Sequence, residues 1–181
     1  MTERFFSLKS QVENLDETEE LLFDLTDSLG TQHHQVDIYF RSTRGTLKLR
    51  SMPPSPVGQL ISTSLIESEG GQRLIENTTT VVEDETLIAA LGEVGTVAKS
   101  RRVFLLDDAR IYLDDVKGIG RFLEVLVAVV PTSPGAEETG EQRAHRRTGE
   151  IATALQIRKD TAVPMSYIEL ICPSDRQPQR S

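Results

Sequence analysis

The chain has 181 residues, 38% of them hydrophobic and 27% charged, which is enough apolar material for one compact domain with its own core. Asp and Glu number 28 against 20 Lys and Arg, a formal net charge of -8, so the long-range field repels polyanions and disfavours nucleic acid as a partner. The single cysteine, Cys172, excludes an internal disulfide, and no Cys/His spacing fits zinc. With no signal-peptide core at 1–7 and no apolar run of membrane-spanning length, a soluble cytoplasmic protein without membrane attachment is expected.

Aromatic and β-branched residues fall in short runs between turn signals, which predicts an α+β chain dominated by strands with helices on the surface. A strand at 5–12 leads into a helix that begins at the acidic turn Asp16-Glu17 and stops at Gly30. Strands 36–41 and 46–51 are joined by the hairpin-length loop 42–45, whose Gly45 suits a positive φ. The proline-rich stretch 52–56 breaks the ladder, and strands 57–66 and 72–81 follow, then a short helix at 83–91 closed by Gly92. Three long β-rich runs, 95–106, 110–116 and 121–130, read as a meander turned at Asp107-Asp108 and at 117–120. A polar helix at 136–155 carries a thin apolar stripe of Ala144, Ile151, Ala152 and Leu155. No repeat or composition shift marks a second domain, so one domain over 1–172 and a disordered tail from Pro173 are expected.

Side chains two apart on a strand share a face. By that rule Lys48 and Arg50 lie opposite Leu47 and Leu49, Lys99 pairs with Arg101, and Arg110 aligns with Tyr112 and Asp114. Solvated outer faces explain any one strand. The sign of the charge does not fit that explanation, because the chain as a whole is acidic while these faces are mainly basic. In a closed barrel the same faces line the interior, where like charges repel unless an anion and water share the space. Arg offers a planar fork and Lys a compact point charge, a mixture suited to a polyphosphate. His33-His34 and the Arg-flanked His145 lack ligand spacing, and no P-loop, dinucleotide fingerprint or nucleophile elbow is present.

Read as motifs, these strands resemble the CYTH superfamily, the triphosphate tunnel metalloenzymes, and within it the class IV adenylyl cyclase-like branch. Gln35-Val36-Asp37-Ile38-Tyr39-Phe40 resembles Q-x-D-x-Y-F, and 45–50 resembles G-x-L-K-L-R. Residues 97–101 are similar to V-x-K-x-R, 110–114 to R-I-H-L-D, 116–124 to V-x-G-L-G-x-F-L-E, and 166–171 to S-Y-x-D-L-L. The resemblance implies a closed antiparallel barrel of eight strands whose tunnel binds a triphosphate. It makes Lys9, Lys48, Arg50, Lys99, Arg101 and Arg110 the tunnel cations, and Asp114 and Glu124 the acids that hold magnesium or manganese. It also implies a homodimer.

The sequence departs from the family pattern at the acids. With Lys9 as the lysine of E-x-E-x-K, the glutamate positions hold Phe5 and Ser7. Glu3 keeps the parity but lies about 20 Å from Lys9 at strand rise. In F-L-E-x-E the second acid is Leu126, and the arginine of L-I-x-x-x-R falls on Leu65. The expectation is therefore a protein that binds a triphosphate-containing nucleotide or polyphosphate with weak or lost catalysis. The alternatives are an active metal-dependent cyclase, converting ATP to cyclic AMP and pyrophosphate, or a triphosphatase; and a structural or interaction protein whose barrel is filled by side chains.

Overall fold

A computed structural model describes residues 1–81 and 85–173. Eight strands form a closed antiparallel barrel: β1 (Thr2–Gln11), β2 (Thr31–Phe40), β3 (Thr46–Ser51), β4 (Gly58–Ser68), β5 (Gly71–Val81), β6 (Glu93–Leu106), β7 (Ala109–Val116) and β8 (Gly120–Ala128). Around the barrel the order is β1-β5-β4-β3-β2-β6-β7-β8, with β1 also bonded to β8. Closure leaves no unpaired edge. The expected antiparallel eight-stranded barrel with helices outside is thus the observed fold.

Four helices complete it: α1 (Leu15–Thr26), α2 (Glu85–Leu91), α3 (Gly140–Ala154) and α4 (Tyr167–Ile171). Helix α1 packs on β6, and α3 on β8 and β1. The outward side chains of the meander, Ile111, Leu113, Leu123, Val125 and Val127, meet Leu22 of α1 and Ala144, Ile151 and Leu155 at α3 in the largest core. The stripe expected on α3 therefore packs against the barrel, except Ala152, which is only partly buried. Neither face of β7 and β8 is free, because the outer one carries helices and the inner one lines the tunnel.

Several boundaries differ from the sequence reading for local reasons. Helix α1 ends at Thr26 because Asp27 adopts the left-handed conformation and its N–H bonds to Phe23. Strand β2 begins at Thr31, ahead of the expected 36, because its first four residues pair with β6 while remaining exposed and carry no apolar alternation. Helix α3 starts at Gly140, behind a Thr139–Gln142 capping box. Gly45, at φ +60, brings its α-carbon so close to β4 that a Cβ would stand 1.9 Å from the Thr63 carbonyl oxygen. The expected disordered tail, apart from Pro173, lies outside the described residues, as do 83 and 84 of the short helix. Among the described residues, no helix is long and apolar enough to cross a membrane.

Candidate anion-binding tunnel

The strand-parity argument places the basic side chains inside the barrel. Register sets Asp37 on β2 beside Arg50 on β3, and Gln35 on β2 beside Lys99 on β6, while Arg101 on β6 faces Asp114 on β7. Two charged clusters result.

In the first, Asp37 is fully buried and takes both bonds of the Arg50 fork, at 2.8 Å each. Its second oxygen also accepts Lys99 Nζ at 2.7 Å, with Lys48 Nζ at 3.7 Å. Burial works against the Asp37 charge, yet Lys48, Arg50 and Lys99 outweigh it and hold the carboxyl well below the usual carboxylate range. One carboxylate does not satisfy three cations. Burial and then the repulsion of Arg50 pull Lys48 down to about 8. Burial, despite the attraction of Asp37, and the repulsion of Arg50, Arg101 and Lys48 pull Lys99 down to about 7.

In the second cluster, Arg101 forms a bidentate pair with Asp114 at 2.7 and 2.6 Å, and Tyr167 of α4 donates its hydroxyl to the same carboxylate at 2.7 Å. Glu124 stands 3.6 Å from Arg101 and 3.9 Å from Lys9. Lys9 donates to the Met165 carbonyl at 3.0 Å and lies 4.5 Å above the Tyr167 ring. Residues 162–172 thus close one end of the barrel: Val163 bonds to the Lys9 carbonyl, and Tyr167 and Ile168 pack with Val97, Val116 and Phe122.

Lys9, Lys48, Arg50, Lys99, Arg101 and Arg110 all line one cavity of ≈ 80 Å³, together with Tyr39, Glu76, Tyr112 and Glu124. Arg110 sits apart at the rim, paired with Glu3 at 2.8 Å and lying 5.2 Å from the centre of the Phe5 ring. The parity argument turned Asp114, the partner of Arg101, inward, but it missed Asp37 and Glu76. Asp37 lay in a recognised motif, and its alternation with Gln35 and Tyr39 pointed it inward. Glu76, directly across from Thr63 on β4 and Glu3 on β1, carried no motif signal.

Asp114 and Glu124, the acids that the resemblance assigns to a metal, face cations in this structure. Both Asp114 oxygens are engaged by Arg101 and one also by Tyr167, and Glu124 faces two cations. Among the described residues, no three His, Cys, Asp or Glu side chains cluster as ligands. This donor set does not fit a divalent ion held by the protein.

The opposite wall is apolar. Phe5, Leu74 and Leu126 are buried together, with Leu65, Tyr112 and Ala128 packed against them. Three of the positions where the sequence departs from the family pattern, Phe5, Leu65 and Leu126, therefore meet in one place. Their strands, β8, β1, β5 and β4 with Leu74 between, are consecutive around the barrel.

A closed eight-stranded barrel with a basic interior is the architecture of the triphosphate tunnel proteins. The CYTH domain matches residues 3–153, and the chain belongs to that family. An adenylate cyclase-like protein of Methanocaldococcus jannaschii is 31% identical over 78 residues, 43% of this chain and 41% of the relative. The match spans less than half the length of that curated relative. Among solved structures, a Pyrococcus horikoshii OT3 protein superposes with a TM-score of 0.73 at 19% identity, covering 92% of this chain and 98% of the other. An adenylyl cyclase-like protein of Hippeastrum, described as having a dominant triphosphatase activity, superposes at 0.58 and 14% identity over 91% of each chain. At these identities the structural likeness concerns the fold.

Proposed function

We propose that the protein binds the phosphate chain of a triphosphate-containing small molecule, a nucleotide or polyphosphate, against the basic wall of the barrel, with cyclisation and hydrolysis weak or lost. The observation that carries this reading is the convergence of Lys48, Arg50 and Lys99 on the single carboxylate of Asp37. Lys9 and Arg101 complete the wall. These five cations face four carboxylates, Asp37, Glu76, Asp114 and Glu124, so a positive excess remains inside a low-dielectric space. Phosphoryl oxygens supply the acceptors that Lys48 and Lys99 share at Asp37, and the Arg forks fix the orientation of the chain. Names among the relatives support a triphosphate as the ligand class.

Weak or lost chemistry follows from the acids. Phe5, Ser7 and Leu126 stand at three of the family's carboxylate positions, and Asp114 is committed to Arg101. Any divalent ion then enters as the counter-ion of the phosphate chain, held mainly by phosphate and water. The dimer implied by the resemblance and the cytoplasmic location belong to the same proposal.

Calorimetry with tripolyphosphate, ATP and AMP tests the binding claim: the first two are expected to bind at least tenfold tighter than AMP. Equal affinities, or none, would remove the tunnel reading and favour the second one, a barrel filled by side chains and used as a scaffold. That alternative draws on the apolar cluster of Phe5, Leu74 and Leu126. Cyclic AMP and phosphate release with magnesium or manganese are expected at background. Robust turnover abolished by Glu124→Gln would establish an enzyme instead.

A further inference from the structure

The cavity has two unlike walls. Strands β3, β2, β6 and β7, consecutive around the barrel, carry Lys48, Arg50, Asp37, Lys99, Arg101 and Asp114. Strands β8, β1, β5 and β4, also consecutive, carry an apolar row of Leu126, Phe5, Leu74 and Leu65, flanked on the same strands by Glu76 and Thr63 on one side and by Lys9 and Glu124 on the other, and all of these side chains line the same cavity as the cations. Register puts three of them level, Phe5 opposite Leu74 and Leu74 opposite Leu65, while Leu126 lies opposite Ser7, two residues along β1 from Phe5. A bare polyphosphate leaves this wall unused, since its oxygens gain nothing from hydrocarbon and lose water beside it. A nucleobase gains no hydrogen bond from these four side chains, and a base edge lying on them has to reach Thr63 or Glu76 beside the row to be paired. Tyr112 bridges the two walls, stacking under the Arg101 guanidinium at 3.8 Å while packing against the apolar cluster.

We propose that the ligand is a phosphate-chain ester whose other end is a small aliphatic group, of the prenyl diphosphate kind, with phosphates on the basic wall and hydrocarbon against Phe5, Leu65, Leu74 and Leu126. This inference rests on the proposed phosphate binding and narrows its ligand. Replacement of polar positions at 5, 65 and 126 by apolar ones that touch one another converts a wall suited to charge into one suited to hydrocarbon. An amphiphile places each end in the environment it prefers.

The experiment compares pyrophosphate with dimethylallyl diphosphate by calorimetry, using the full chain and the Leu65→Ser variant. Leu65 is the least buried of the four, so it is the substitution best tolerated by the fold, and a melting curve on the same sample checks this. Dimethylallyl diphosphate is expected to bind at least tenfold tighter than pyrophosphate, a gain of about 1.4 kcal/mol, which burial of about two methylene groups supplies. Leu65→Ser is expected to pull that ratio towards one. Equal affinities, or weaker binding of the prenyl ester, would overturn the inference while leaving phosphate binding intact. A tighter prenyl ester whose advantage survives Leu65→Ser would place the hydrocarbon elsewhere and overturn it as well. If neither compound binds, the failure lies with the proposed phosphate site itself.

Discussion

Replacing Asp37 by Asn removes the one negative charge around which Lys48, Arg50 and Lys99 are assembled. The side chain is fully buried, so water cannot take its place. Loss of one partner from a buried ion pair costs about 3–5 kcal/mol, because the remaining charge is left uncompensated, and here three cations lose the same partner. The cost depends on pH. Lys99 and Lys48 are held down to about 7 and about 8 in the fold, so above these values they shed their protons and the repulsion falls. At pH 9, where Lys48 and Lys99 are neutral, Asp37→Asn is therefore expected to lose about 3–5 kcal/mol for the Arg50 charge left alone, and at pH 6, where the lysines are charged as well, to lose more. Urea unfolding at both pH values, with unchanged m-values, measures it. A loss under about 1 kcal/mol at pH 6, or equal losses at both pH values, would refute the charge-cluster reasoning.

The wild-type protein has the same signature with the opposite emphasis. An unfolded lysine titrates near its ordinary value while Lys99 and Lys48 titrate lower in the fold, so between about pH 7 and 10 the unfolded chain binds more protons and stability rises with pH, at up to about 1.4 kcal/mol per unit for each lysine. A urea midpoint that falls steadily from pH 7 to 9 contradicts this. Tyr167→Phe removes the hydroxyl donated to Asp114 and is expected to cost about 1–2 kcal/mol and to speed amide exchange in α4; unchanged exchange would show that the helix is held by packing alone. Gly45→Ala meets both the positive φ and the Thr63 carbonyl, so a loss of about 2 kcal/mol or more is expected in thermal or urea unfolding, and a neutral substitution would contradict the close approach of this loop to β4.

Much of the barrel was legible because alternation survives where a strand separates two different interiors. Strand β3 was read at its observed limits, since Leu47 and Leu49 oppose Lys48 and Arg50 without interruption. The beginning of β2 was not legible, as Thr31 to His34 are exposed and polar on both faces. Lys48, Arg50, Lys99, Arg101 and Arg110 were found by parity and Lys9 by the motif, but neither showed that three of them share the one carboxylate of Asp37. That pairing depends on which strands adjoin: Asp37 reaches Lys99, 62 residues away in sequence, only because β2 lies between β3 and β6. The apolar wall was visible only as isolated departures from a motif. Closure of the barrel is what brings Phe5, Leu65 and Leu126 together.

The central claim is that the basic wall receives a phosphate chain, and a crystal structure grown with tripolyphosphate tests it most directly. Phosphoryl groups are expected within hydrogen-bonding distance of Lys48, Arg50, Lys99 and Arg101, with the Lys99 ammonium shared between Asp37 and a phosphoryl oxygen. A barrel in which the Asp37 and Asp114 pairs are unchanged and no phosphate lies between them, with tripolyphosphate found only at surface arginines such as Arg143 and Arg146, would contradict it.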